Sequence, residues 1–123
     1  MEEYYKLLDL TFKINHYYEY FARFAKDFLC PPSEDYIYIE SSKIDATNWK
    51  NKHPDPIDYP LAYIETLSIQ SKLADLIASL NSFIFHGSSI YLDNINNGYI
   101  FTAPSGTGKS THTRLLKEMF FVN

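Results

Sequence analysis

The residues that bear chemistry most plainly are Ala103-Pro104-Ser105-Gly106-Thr107-Gly108-Lys109-Ser110-Thr111. The pattern G-x-x-x-x-G-K-[ST] marks a loop whose backbone amides cradle phosphates. Only its first position differs here, where Ala103 replaces Gly. Gly106 and Gly108 would let the backbone turn tightly and aim its N–H groups at an anion. Lys109 would reach the β- and γ-phosphates, and Ser110 would place its hydroxyl on a bound Mg²⁺. Ala103 is one methyl group larger than Gly, and an ordinary strand-end backbone suffices there. The candidate nucleotide-binding set is therefore Ser105, Gly106, Thr107, Gly108, Lys109, Ser110 and Thr111.

Such a loop works only between a strand and a helix, because the free N–H groups and dipole of the helix complete the anion site. The sequence meets that requirement. Tyr99, Ile100, Phe101 and Thr102 precede the loop as β-formers, and His112 to Phe120 follow as a helix-compatible run. Further back, Phe83 to Phe85 and Ile90 to Leu92 flank a polar centre, and Asp93 to Gly98 is a turn cluster, so a hairpin from about Phe85 to Thr102 is expected. Pro60 suits a helix start, and Ile64, Leu67, Leu73, Leu76, Ile77 and Leu80 predict a helix over about 61–80, ended by Asn81-Ser82.

The first half is less informative. Tyr4, Leu8, Leu10, Phe12 and Ile14 share one parity, which predicts one long strand or two short ones broken near Asp9. Phe21, Phe24, Ala25 and Phe28 predict a helix of about three turns, stopped by Pro31-Pro32. Tyr36 to Glu40 alternates as a short strand. Residues 41–59 are polar, carry Pro54 and Pro56, and read as loop with a brief strand around Ile44. The fold class expected is α/β, a mixed-sheet phosphate-loop domain. One domain over 1–123 divides into a strand-helix-strand with loop over 1–59, and a long helix, hairpin, phosphate loop and following helix over 60–123.

Composition sets the outer limits. The chain has 123 residues, 46% hydrophobic and 17% aromatic, which supports a core rather than disorder. A net charge of -4 argues against a nucleic-acid partner. The single cysteine, Cys30, forms no internal disulfide, and no CxxC pair exists for zinc, which fits a reducing, cytoplasmic setting. The acidic start Met1-Glu2-Glu3 lacks the basic region of a secretory signal. Leu76 to Leu92 is free of charge but broken by serines, asparagine, His86 and Gly87, so no membrane partner is expected.

Phe85-His86-Gly87-Ser88-Ser89, followed by Gly98 to Leu115, resembles the HPr kinase/phosphorylase and phosphoenolpyruvate carboxykinase superfamily. The match covers about a quarter of the chain and is closest to small bacterial members. The resemblance implies an ATP-Mg²⁺ site and transfer of a phosphoryl group to a protein serine or a small molecule. It also implies that His86 lies near a metal and the γ-phosphate. From the residues alone, His86 reads first as a hydrogen-bonded core or edge residue of a strand. His112 reads as a helix-surface or packing residue and Arg114 as a solvated or salt-bridged one.

The superfamily holds its metal-binding acids downstream of the loop helix. Asp9, Asp35, Asp45, Asp55, Asp58 and Asp93 match none of them. Phe101, Leu115, Leu116, Phe120 and Phe121 form an apolar face that wants partners. The expectation is therefore the N-terminal part of a longer domain, inactive by itself. The alternative is a non-catalytic interaction module, completed by self-association or by a partner chain that adds strands, with Tyr36, Tyr38 and Phe120 near the joint.

Overall fold

A computed structural model describes residues 1–85 and 87–120, with Met119 and Phe120 by their backbone alone. The protein is mixed α/β, with a three-stranded mixed sheet, a two-stranded antiparallel sheet and four α-helices among the described residues. It forms two compact units, Met1–Phe83 and Ile84–Asn123. The long helix that ends the first unit packs into that unit's core.

In the first unit, β1 (Glu2–Leu7) and β2 (Leu10–Asn15) pair antiparallel, and β3 (Ile37–Glu40) lies parallel to β2. The Leu8-Asp9 turn confirms two strands rather than one. It also corrects the expected parity. Tyr5 lies opposite Phe12 and Glu3 opposite Ile14, so odd residues of β1 share a face with even residues of β2. Tyr5, Phe12 and Ile14 are buried, whereas Leu8 is 92% exposed with φ 54°. Tyr4, on the other face, meets Tyr36 edge to face, with the Lys13 ammonium over both rings.

The first helix is shorter than its apolar spacing suggests. α1 spans Glu19–Phe24, and a 3₁₀ turn, Lys26–Phe28, follows. That tightening breaks the 3.6-residue period, so Phe21 and Ala25 are buried while Phe24 and Phe28 face solvent. The chain then returns to the sheet, where the Cys30 N–H donates to Tyr4 O at 2.9 Å.

The expected loop over 41–59 is largely a helix, α2 (Lys43–Lys52). Its start is capped by Ser42, whose Oγ accepts the Asp45 N–H at 3.1 Å and donates to the Asp45 carboxylate at 2.8 Å. Ile44 sits on its exposed side instead of in a strand. The helix stops at His53, which precedes Pro54. Lys50 then pairs with Asp58 and donates to Tyr59 O, which fastens the proline-containing connection to α2.

α3 runs Leu61–Ser79, as its periodicity requires, with Pro60 at the N-cap. Ile69 and Leu73 join Tyr5, Phe12, Ile14, Phe21, Ala25 and Ile39 in the core. The helix closes with Asn81 in the left-handed region and the Ser82 N–H donating to Ile77 O, a Schellman-type end. A buried carboxylate from α3, Glu65, accepts the N–H groups of Tyr17 and Tyr18 at 2.6 and 2.9 Å. It thereby caps α1, whose own N-cap, Tyr18, offers no side-chain cap.

The second unit holds β4 (Ser88–Leu92), β5 (Asn97–Phe101) and α4 (Lys109–Phe120). The strands form the expected antiparallel hairpin, with Ser88 opposite Phe101 and Leu92 opposite Asn97. Its bend is a 3₁₀ turn, Asp93–Ile95, closed by Asn96 at φ 51°. Tyr91 donates its hydroxyl to the Asn96 side chain across this bend.

Candidate functional site: the loop between β5 and α4

Residues 102–108 leave the end of β5 and enter α4, so the glycine-rich segment stands at a strand-to-helix junction. Both of its glycines need their lack of a side chain for conformation rather than space. Gly106 has φ 80° and Gly108 φ 87°, and nothing lies within 4 Å of a Cβ built on either. Their backbone therefore borders an open cradle. Ala103 has no left-handed backbone, so the position where the pattern has Gly accepts a methyl group without strain.

Ser105, Gly106, Gly108, Lys109, Ser110 and Thr111 line one cavity of about 280 Å³. Thr107 shapes the loop instead, its hydroxyl donating to Pro104 O at 2.9 Å. Lys109 is the first residue of α4, and its ammonium crosses the neck of the loop to Ala103 O at 2.7 Å and Pro104 O at 3.1 Å. Ser110 follows it in the first helical turn. The His112 N–H donates to Gly108 O at 2.8 Å, so the helical ladder begins at the second glycine.

These residues fit a nucleotide phosphate chain with a divalent cation. A cradle with room above its amides, a lysine at its neck and a serine hydroxyl in the first turn supply the donors and the cation ligand that a triphosphate needs. Lys109 and Ser110 would hold the group together with the amides of 106–108.

The remaining sequence candidates fall elsewhere. His86 lies outside the described residues, as does Phe121. His112 packs its ring edge to face on Phe101 at 4.9 Å, which agrees with a packing role. Arg114 is exposed on α4. Asp93 serves the hairpin bend, with its carbonyl accepting the Asn96 N–H. The Asp45 carboxylate accepts the hydroxyl of the α2 cap Ser42, Asp58 pairs with Lys50, and Asp55 accepts the Ile57 N–H, all within the first unit. Among the described residues no three His, Cys, Asp or Glu side chains gather as a metal set.

Three residues matter that the motif does not contain. A Cβ at Gly87 would lie 2.8 Å from Phe101 O and 3.2 Å from the Ile100 side chain, so the chain before β4 presses on the end of β5. Ser88 and Thr113 hydroxyls lie 3.0 Å apart, linking β4 to α4. The sequence signal for this packing was a glycine in the polar centre of the expected hairpin's first arm.

Comparison with protein-family models, with curated proteins and with solved structures finds no match to the chain. Among the described residues no helix is long and apolar enough to cross a membrane.

Proposed function

We propose that the segment from Ala103 to Thr111 is a phosphate-binding loop, and that the protein binds ATP-Mg²⁺ through it. The observation that carries the reading is the pair of left-handed glycines, Gly106 and Gly108, bordering an open cradle with Lys109 and Ser110 opening the next helix. The resemblance to HPr kinase and phosphoenolpyruvate carboxykinase extends the reading to phosphoryl-transfer ancestry, of the α/β phosphate-loop type. His86 is the family's candidate beside the metal. The acceptor class is a protein serine or a small molecule, and the reading places the protein in the cytoplasm.

Titration calorimetry of ATP-Mg²⁺ into the full chain, beside Lys109→Ala, tests it. Wild type binds saturably, and the variant loses at least about 10-fold in affinity, the scale of a hydrogen bond to a charged group. Absence of binding by a folded wild type overturns the reading.

A specific observation favours a second reading, the non-catalytic interaction module. Ile90, Leu92, Tyr99, Phe101 and Leu116 line a wholly apolar hollow of about 180 Å³ between the hairpin and α4. Among the described residues the sheet beside it has two strands, so each strand is an edge of the kind that can take up an added strand. On this reading a stable complex forms without turnover, and sedimentation of the purified chain, alone and with candidate partners, separates the two.

A further inference from the structure

The phosphate loop is held at both ends by one dipeptide outside the motif. Gly87 lies so close to the last residues of β5 that a methyl group there would strike the Phe101 carbonyl, two residues before the loop begins. Ser88 is the register partner of Phe101, and its hydroxyl lies 3.0 Å from Thr113 Oγ1. Thr113 in turn donates to Lys109 O at 3.0 Å. A threonine hydroxyl has a single proton, so with that proton on the Lys109 carbonyl the Ser88 hydroxyl must donate to Thr113. The result is a directed chain, Ser88 to Thr113 to the backbone of Lys109. The Phe101–His112 ring contact spans the same gap between strand and helix.

We infer that Ser88 and Thr113 are positioning residues for the phosphate loop. They fix the first turn of α4 against the β4–β5 hairpin, so that Lys109 and Ser110 stand at a set distance from the amides of 106–108. The inference rests on the phosphate-loop reading for its ligand, but the geometric clamp belongs to the protein alone. Without it, α4 can shift along the hairpin, and the loop pays conformational entropy on each binding event.

The test uses the full chain with Ser88→Ala, Thr113→Val, the double variant and Thr113→Ser. ATP-Mg²⁺ affinity is read by calorimetry, and protection of the His112 amide by hydrogen exchange without nucleotide. Each single variant is expected to lower both affinity and His112 protection by about 3- to 10-fold, the scale of one hydrogen bond. The double variant falls no further than Thr113→Val, because the Ser88 link is already lost there. Thr113→Ser restores both values, since it keeps the hydroxyl.

Unchanged affinity and unchanged exchange in folded single variants overturn the clamp while leaving the phosphate loop standing. Additive losses in the double variant overturn it too. Loss of His112 protection in the single variants, beside a folded wild type that binds no nucleotide, supports the clamp and overturns the ligand reading. Should Thr113→Val not fold, Ser88→Ala carries the same two measurements.

Discussion

The Lys109 ammonium donates to the carbonyl of Ala103 at 2.7 Å, joining the first residue of α4 to the first residue of the loop pattern. The contact uses the Ala103 backbone, and the residue is exposed. The departure from the Gly of the motif is thus neutral in the geometry that matters. Ala103→Gly is expected to leave ATP-Mg²⁺ affinity within about 3-fold and to cost up to about 1 kcal/mol of stability through added backbone freedom. Calorimetry and urea unfolding check both. A gain of 10-fold or more in affinity would show that the methyl group obstructs the site.

Gly87, Gly106 and Gly108 should respond differently to alanine. At Gly106 and Gly108 the strain is conformational, about 1–2 kcal/mol for a left-handed residue with a side chain. Those variants weaken nucleotide binding and leave the hairpin intact. At Gly87 the methyl group meets a backbone oxygen at 2.8 Å, so β4 and β5 must move apart. Gly87→Ala should raise amide exchange across the β4–β5 ladder, while Gly106→Ala and Gly108→Ala do not.

Glu65 joins α3 to the start of α1 by accepting two backbone N–H groups, and its side chain is fully buried. Glu65→Ala leaves both donors unsatisfied, at about 2–4 kcal/mol in total. Urea unfolding of the first unit should show that loss, with Glu65→Gln in between because it keeps one acceptor oxygen.

The Glu3 carboxyl is held below its ordinary value near 4.5, first by the Tyr5 hydroxyl and then by the His16 ring, both within hydrogen-bond distance. A lowered carboxyl contributes stability above its ordinary value and loses it as pH falls through the lowered one. Burial, with Glu3 adding to it, pushes the Tyr5 phenol well above its usual value near 10. Its contribution is therefore present below about pH 10 and lost as pH rises beyond. Stability against pH should fall at both ends, below about 4.5 and above about 10. Glu3→Gln should flatten the acid limb and soften the alkaline one. Parallel curves for wild type and variant would exclude the Glu3 contribution.

The sequence made some elements legible and hid others for identifiable reasons. α3 and the hairpin carry dense apolar patterning, Ile64, Ile69 and Leu73 in one and Ile90 with Phe101 in the other, so period and turn residues locate them. α2 buries only Ala46 and has no apolar stripe to read. Its signal was Ser42 three residues before Asp45, a capping pair masked by the prolines beyond. The parity of β1 depended on the Leu8-Asp9 turn, which no period can reveal. At the candidate site, the loop chemistry lay in contiguous residues. The Ser88–Thr113 link did not, because it joins residues far apart in the chain through two hydroxyls of ordinary type.

The hairpin has a chemical consequence as well as a mechanical one. Asn97-Gly98 is the dipeptide most prone to deamidation, in which the glycine nitrogen attacks the asparagine side-chain carbonyl, ammonia leaves, and water opens the resulting succinimide. In β5 both residues are held extended, opposite Leu92 and Tyr91. That geometry keeps the attacking nitrogen away from the side-chain carbonyl. Each opening of the ribbon exposes the pair to reaction, so isoaspartate at position 97 would accumulate with time as a lasting record of how often the hairpin melts.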